Sequence, residues 1–259
     1  MKLSVIIPTR NRADLLNNTL KSITHLSFQA SDFEVIVVDN GSTDYTKQIV
    51  EGYSDNIQNI RYFYDATPGL HAGRHKGLKE AKADILVYAD DDIEAFPTWL
   101  EGIWESFQDN DVVLIGGKNL PKWEIDPPFW IYEMWMNICE HGHSLGYLSI
   151  LDFGNKIIEI DPGFVWGCNF SIRKNILLEA KGFHPDGFPQ NMIKYRGDGE
   201  TSVSNYIKKM KLKSIYNPKA SVYHFISKNR MTIDYFCKRA FNQGISDSFT
   251  NIRKKYKND

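Results

Sequence analysis

Leu86-Val-Tyr-Ala-Asp-Asp-Asp92 is a short apolar run that ends in three consecutive carboxylates. Nothing in the run alternates with polar residues, so it reads as a strand buried on both faces. The aspartates then stand at its carboxyl end, the edge of an open α/β sheet where ligands bind. Three adjacent anions repel one another unless a cation or hydrogen-bond donors neutralise them. Hard divalent cations such as Mg2+ or Mn2+ suit them, because they prefer oxygen ligands and share them with phosphates. A solvated acidic turn or a helix N-cap is the plainer alternative.

The segments before this run repeat its pattern. Leu3-Ser-Val-Ile-Ile-Pro8 is an apolar strand stopped by proline, and Leu16, Leu20 and Ile23 share one face of the helix that follows. Glu34 to Asp39 is a second strand ending in a carboxylate, after which Gly41-Ser-Thr-Asp44 supplies turn and cap chemistry. Ile60 to Tyr64 is a third strand, Pro68-Gly69 a turn, and Ala72 to Lys82 a helix on which Arg74 reads as an exposed charge. Beyond the aspartates, Pro97 opens a helix carrying Trp99, Ile103 and Phe107 at i, i+4 and i+8, and Asp111 to Gly117 gives another strand. This alternation predicts an α/β fold with a mainly parallel, Rossmann-like sheet flanked by helices. The first β-α loop, Pro8-Thr-Arg-Asn-Arg12, contains no glycine, which excludes the dinucleotide fingerprint and the P-loop.

After Gly117 the character changes. Pro121 to Trp135 is dense in proline and aromatics, which pack in cores more often than they stack on sugars. Leu145 to Leu151 and Lys156 to Ile160 read as an antiparallel pair around Asp152-Phe-Gly-Asn155. Phe164 to Arg173 is strand-like with Gly167 and Asn169 inside it, and glycine there marks close approach of backbone or ligand. Arg196-Gly-Asp-Gly-Glu200 precedes a helix with Val203, Ile207 and Met210 on one face, so that Asp198 reads as its cap. Ser214 to Tyr216 and Ala220 to His224 are the last strands, and Met231 to Lys257 is helical with a basic end, Arg253 to Lys257.

The 259 residues suffice for a sizeable core, and a net charge of -1 offers no global attraction to nucleic acid. Cys139, Cys168 and Cys237 are odd in number and lack paired spacing, which speaks against disulfides or structural zinc and for a reducing compartment. Cys139-Glu-His-Gly-His143 is an incomplete ligand set and reads as a surface turn. No apolar run approaches the ~20 residues of a membrane span. We therefore expect a soluble, cytoplasmic protein whose basic end suits peripheral contact with the inner face of a membrane.

An ordered series now stands out: Val5 to Arg12, Val37 to Asp44, Pro68 to Gly77, Tyr88 to Asp92, Gly167 to Arg173, Gly197 to Glu200 and Val222 to His224. Over roughly residues 3 to 226 it resembles the family 2 glycosyltransferases, inverting enzymes of GT-A fold. The resemblance implies a nucleotide-sugar-binding half over 1–117, a mixed-sheet acceptor half over 118–226 and a helical tail over 227–259. It assigns Pro8, Thr9, Arg10, Arg12, Asp39, Arg74, Asp90 and Asp91 to the nucleotide, with an Asx-turn cap as the alternative for Asp39. Asp92, Asp90 and His224 would hold Mn2+ or Mg2+, and Trp166, Gly167 and Asn169 would face the sugars. The implied donor is a nucleoside-diphosphate sugar, of UDP type by preference, and the acceptor a carbohydrate or a lipid-linked glycan.

The family pattern is Glu-Asp before the acceptor-side helix, whereas this chain has Asp198-Gly-Glu200. Counting back from the helix selects Glu200 as the base, and counting from the Gly197-Asp198 start selects Asp198. Either carboxylate would be kept ionised by the helix N-terminus. A sugar-phosphate nucleotidyltransferase would share the fold but should carry a glycine-rich first loop. A non-catalytic carbohydrate- or partner-binding domain would have no reason to keep these carboxylates.

Overall fold

Strands made of unbroken apolar runs are covered on both faces in the computed structural model, which describes residues 1–256. The strands are β1 (Leu3–Thr9), β2 (Phe33–Asp39), β3 (Ile60–Tyr64), β4 (Ile85–Ala89), β5 (Ile93–Ala95), β6 (Val112–Gly116), β7 (Asn119–Trp123), β8 (Ile138–Cys139), β9 (Gly142–Leu145), β10 (Ile150–Asp152), β11 (Ile158–Glu159), β12 (Asn169–Arg173), β13 (Lys213–Tyr216) and β14 (Val222–Ile226). The helices are α1 (Ala13–Ile23), α2 (Thr46–Gly52), α3 (Leu70–Glu80), α4 (Trp99–Ser106), α5 (Phe129–Met136), α6 (Lys174–Glu179), α7 (Thr201–Lys209) and α8 (Ile233–Tyr256). Lys257, the last residue of the expected basic end and helix, lies outside the described residues, as do 258 and 259.

The main sheet has eight strands in the order β11-β13-β6-β12-β4-β1-β2-β3. Pairings β1–β2, β2–β3, β1–β4 and β6–β13 are parallel, and β12 runs antiparallel between β4 and β6. Because side chains alternate along a strand, Val5 and Ile7 enter a core with Leu16 and Leu20 of α1 and Trp99 and Ile103 of α4. Ile6 enters the opposite core with Leu177 of α6 and Val203 and Ile207 of α7. A second sheet, β5-β14-β7-β10-β9-β8, carries a third cluster in which Ile131, Leu148 and Ile226 are joined by Trp130 and Phe236 from α5 and α8. No helix among the described residues is long and apolar enough to cross a membrane.

Several expectations change. The division at 117 falls between β6 and β7, yet β11, β12 and β13 from the later segment complete the main sheet, so the two halves are interleaved. Leu145 to Leu151 and Lys156 to Ile160 do not pair: β10 joins β9 and β7, whereas β11 joins β13 in the other sheet. Gly154 N–H does donate to Asp152, so the turn forms. The chain leaving it crosses between sheets because the Tyr216 hydroxyl anchors it, donating to the Gly154 carbonyl and accepting from Phe153 N–H. Phe164 to Arg173 is a strand only from Asn169 onward. Cys139 and Gly142 pair across a tight hairpin, the surface turn expected there. The short β5 was not foreseen: it pairs with β14 and brings His224 beside Ile93, next to the aspartates.

Candidate active site

Parallel register places the carboxyl ends of β1, β2 and β4 at one edge, so Thr9, Asp39 and the three aspartates converge although they are far apart in the chain. The Thr9 hydroxyl donates to Asp91 at 2.6 Å, and Arg12 reaches Asp91 and Asp92 at 2.6 Å each. Burial pushes the Asp91 carboxyl up to about 7 against the pull of Arg12, and burial with the neighbouring Asp92 raises Asp90. Burial would raise Asp92 too, but His224, Arg12 and Arg230 outweigh it and hold this carboxyl well below the usual range. A cavity of about 250 Å3 opens here, lined by Pro8, Thr9, Arg10, Arg12, Asp90 and Asp91 of the expected nucleotide residues, together with Asn40, Gly69, Leu70 and Gly187.

Asp39 and Arg74, two further residues assigned to the nucleotide, do not line that cavity. Asp39 accepts from Ser42 N–H and from the Tyr62 hydroxyl, which is the Asx-type contact of the alternative reading. Arg74 is not the exposed charge expected on α3: it is 2% accessible and lies among Glu200 at 3.1 Å, Asp186 at 3.6 Å and Asp90 at 4.0 Å. Gly167 permits this, since a Cβ there would stand 2.0 Å from Arg74 Nη2.

Asp92 Oδ1 lies 3.3 Å from His224 Nε2, and both Oδ1 and His224 Nδ1 are buried without a hydrogen-bond partner among the described residues. Buried polar atoms rarely stay unpaired unless a ligand or ion completes them. Asp90, Cys168 and His224 bring potential ligand atoms within 4.8 Å of one another. Oxygen and imidazole donors with unmet valence fit a divalent cation. The sequence reading overlooked Cys168 and also Arg230, which stands 3.7 Å from Asp92.

The two candidate bases part company in the tertiary structure. Glu200 turns toward Arg74 and accepts a long bond, 3.4 Å, from Gly167 N–H. Burial would raise its carboxyl, but the charge and hydrogen bond of Arg74 keep it below the ordinary glutamate value. Asp198 points elsewhere, bonded to His184 Nδ1 and to Thr250 of α8. Its side chain does not cap α7; only its carbonyl accepts, from Thr201 N–H. Asp186, with an unpaired buried Oδ1, is a second carboxylate beside Arg74 that no sequence pattern singled out.

Of the residues expected to face sugars, Trp166 is half-buried with its indole N–H on the Gly163 carbonyl. Asn169 is a correction. It is 1% accessible, donates to Asn119 and to the Ala220 carbonyl, and accepts from Trp99 Nε1, so its polar groups serve the core.

An α/β sheet whose strand ends gather an aspartate triplet, with a helix-start carboxylate facing it across a buried arginine, defines a GT-A type glycosyltransferase fold. The chain belongs to glycosyl transferase family 2, whose pattern matches residues 4–179. It is 23% identical over 251 residues to the glucosyl-dolichyl phosphate glucuronosyltransferase of Haloferax volcanii, covering 95% of this chain and 76% of that protein. Glycosyltransferase AglE of the same organism is 34% identical over 116 residues, covering 44% of this chain and 38% of its own length. The chain thus spans well under half of some curated relatives. Among solved structures, the Pyrobaculum calidifontis mannosyltransferase PcManGT in complex with GDP-Man and Mn2+ superposes with a TM-score of 0.61 at 18% identity, covering 89% of this chain and 58% of that one. S. aureus TarS 1-349 in complex with UDP gives 0.59 at 19%, covering 99% and 72%.

Proposed function

We propose that the protein transfers a sugar, with inversion, from a nucleoside-diphosphate sugar to an acceptor hydroxyl, using Glu200 as the base. The observation that carries this reading is the position of Glu200, ionised beside Arg74 and within one cluster of the metal-ligand candidate Asp90. Glu200 takes the hydroxyl proton as the acceptor oxygen attacks the anomeric carbon, on the side opposite the leaving diphosphate. No covalent intermediate is needed. Asp92, Asp90 and His224 would hold a divalent cation, Mn2+ or Mg2+, whose chemistry when bound would be to offset negative charge on the leaving diphosphate. Thr9 and Arg12 fix the aspartates for that task, and the cavity lined by Pro8, Thr9 and Arg10 takes the nucleoside.

Residues 1–117 supply most of the donor side of this cleft, while 118–226 supply Glu200 and the acceptor side and also lend His224 and Gly187 to the donor side. Structural neighbours hold UDP and GDP-Man, so a nucleoside-diphosphate sugar is the donor and UDP-type donors are the first to test; the glucosyl-dolichyl phosphate relative supports a lipid-linked glycan acceptor, which would bring the enzyme to a membrane surface. The test is thermal unfolding with nucleoside diphosphates, with and without Mn2+, followed by a transfer assay with the sugar nucleotide that binds. A ligand at 100 times its Kd stabilises by about 2.7 kcal/mol. Asp92→Asn should keep the fold and lose the Mn2+-dependent part of that gain; a full Mn2+ response in this variant overturns the metal assignment.

A further inference from the structure

Cys168 belongs to the core around Trp99 and Val222, and its sulfur is also within reach of two candidate metal ligands. Asn169 pairs with Ala89 at the end of the β12–β4 ladder, so the next residues outward, Cys168 and Asp90, meet just past it. His224 arrives beside them from β14 through its pairing with Ile93. The sulfur, a carboxylate oxygen of Asp90 and an imidazole nitrogen of His224 lie within 4.8 Å of one another, a spread that the first shell of one ion can close. Cys168 is 1% accessible and its contact with the Ser149 carbonyl is long, 3.7 Å; burial and the neighbouring Asp90 and Asp92 keep the thiol protonated until a cation is bound. The independent sign of a missing ligand is His224 Nδ1, buried at the same place without a hydrogen-bond partner among the described residues.

We propose that Cys168 is a thiolate ligand of the divalent-cation site, which therefore binds thiophilic ions, Zn2+, Co2+ and Cd2+, much more tightly than Mg2+. This rests on the metal site of the reading above and adds the ligand that sets its selectivity. On binding, the S–H bond breaks, the proton leaves to solvent and a sulfur–metal bond forms, with no change of oxidation state. Oxygen-only sites favour Mg2+ and Ca2+, whereas thiolate with imidazole selects softer ions. Mn2+ or Mg2+ added in assays would then compete with trace zinc for the same residues.

The experiment titrates chelator-stripped full-length protein with Co2+ and records its spectrum. Thiolate ligation adds a near-ultraviolet charge-transfer band to the weaker visible bands of any bound Co2+. The Cys139→Ser/Cys237→Ser double variant keeps Cys168 as its sole thiol and should retain that band. Cys168→Ser should lose it, keep the visible bands through the remaining ligands, and show a Cd2+ to Mg2+ affinity ratio at least about tenfold lower. Visible bands without the near-ultraviolet band in the double variant overturn the proposal, and this arm decides alone if Cys168→Ser fails to fold. Absence of Co2+ binding in dialysis overturns the metal site itself, a distinguishable failure.

Discussion

Arg74 Nη1 stands 3.1 Å from Glu200 Oε2, joining the middle of α3 to the start of α7 across 126 residues of chain. The guanidinium is buried and serves Asp186 and Asp90 as well, so its removal leaves three carboxylates without their shared cation. Breaking a buried pair from one side costs about 3 to 5 kcal/mol. Arg74→Ala should therefore lower stability by an amount of that order in denaturant titration. Any residual transfer activity should need a higher pH, because Glu200 loses the charge that keeps it ionised. A stability within about 0.5 kcal/mol of wild type, the usual range for surface changes, would show that the cluster is not held as described.

Glu200→Gln should reduce transfer by ~10²-fold or more while donor and Mn2+ affinity stay near wild type, since an amide accepts a hydrogen bond but takes no proton. Asp198→Asn should act on stability instead, loosening the contacts of the 184–198 segment with His184 and Thr250. Steady-state kinetics beside a melting curve separates the two. If Asp198→Asn is the variant that stays folded and stops transferring, the roles are reversed.

Asp186 adds a pH dependence of its own. Burial pushes its carboxyl up to about 6 despite Arg74, above the unfolded value of 3.8. An acid whose folded value is raised contributes stability in full below the unfolded value, and this is lost as pH rises through the folded one. Asp186→Asn removes that loss. Its stability relative to wild type should improve between pH 4 and pH 7, by up to about 3 kcal/mol. A difference that is flat across this window, or falls, rules the assignment out.

Asn169→Ala should destabilise the fold by about 1 to 3 kcal/mol, because it strands the buried indole N–H of Trp99, the side-chain oxygen Oδ1 of Asn119 and the Ala220 carbonyl. Affinity for sugar nucleotide, measured on the folded fraction, should be unchanged. A selective loss of donor binding without loss of stability would return Asn169 to the sugar site.

The sequence by itself determined the βα alternation and the carboxylates at the ends of β2 and β4, because continuous apolar runs and turn residues are local signals that survive without the rest of the chain. It also determined the family, since the ordered motifs from Val5 to His224 are short and contiguous. What only the tertiary structure decided depends on residues far apart. Asp198 and Glu200 are separated by one residue, yet one faces α8 and the other Arg74, a difference of direction that no spacing rule encodes. Arg74 looked like a surface charge because α3 is polar, and its burial follows from Gly167 leaving room for the guanidinium. Cys168 had no partner spacing to betray it, and only the antiparallel register of β12 against β4 sets it opposite Asp90. β11, β12 and β13 completing the first sheet belongs to the same class: strand order is set by which long-range pairings bury the most apolar surface, and that sum is taken over the whole chain.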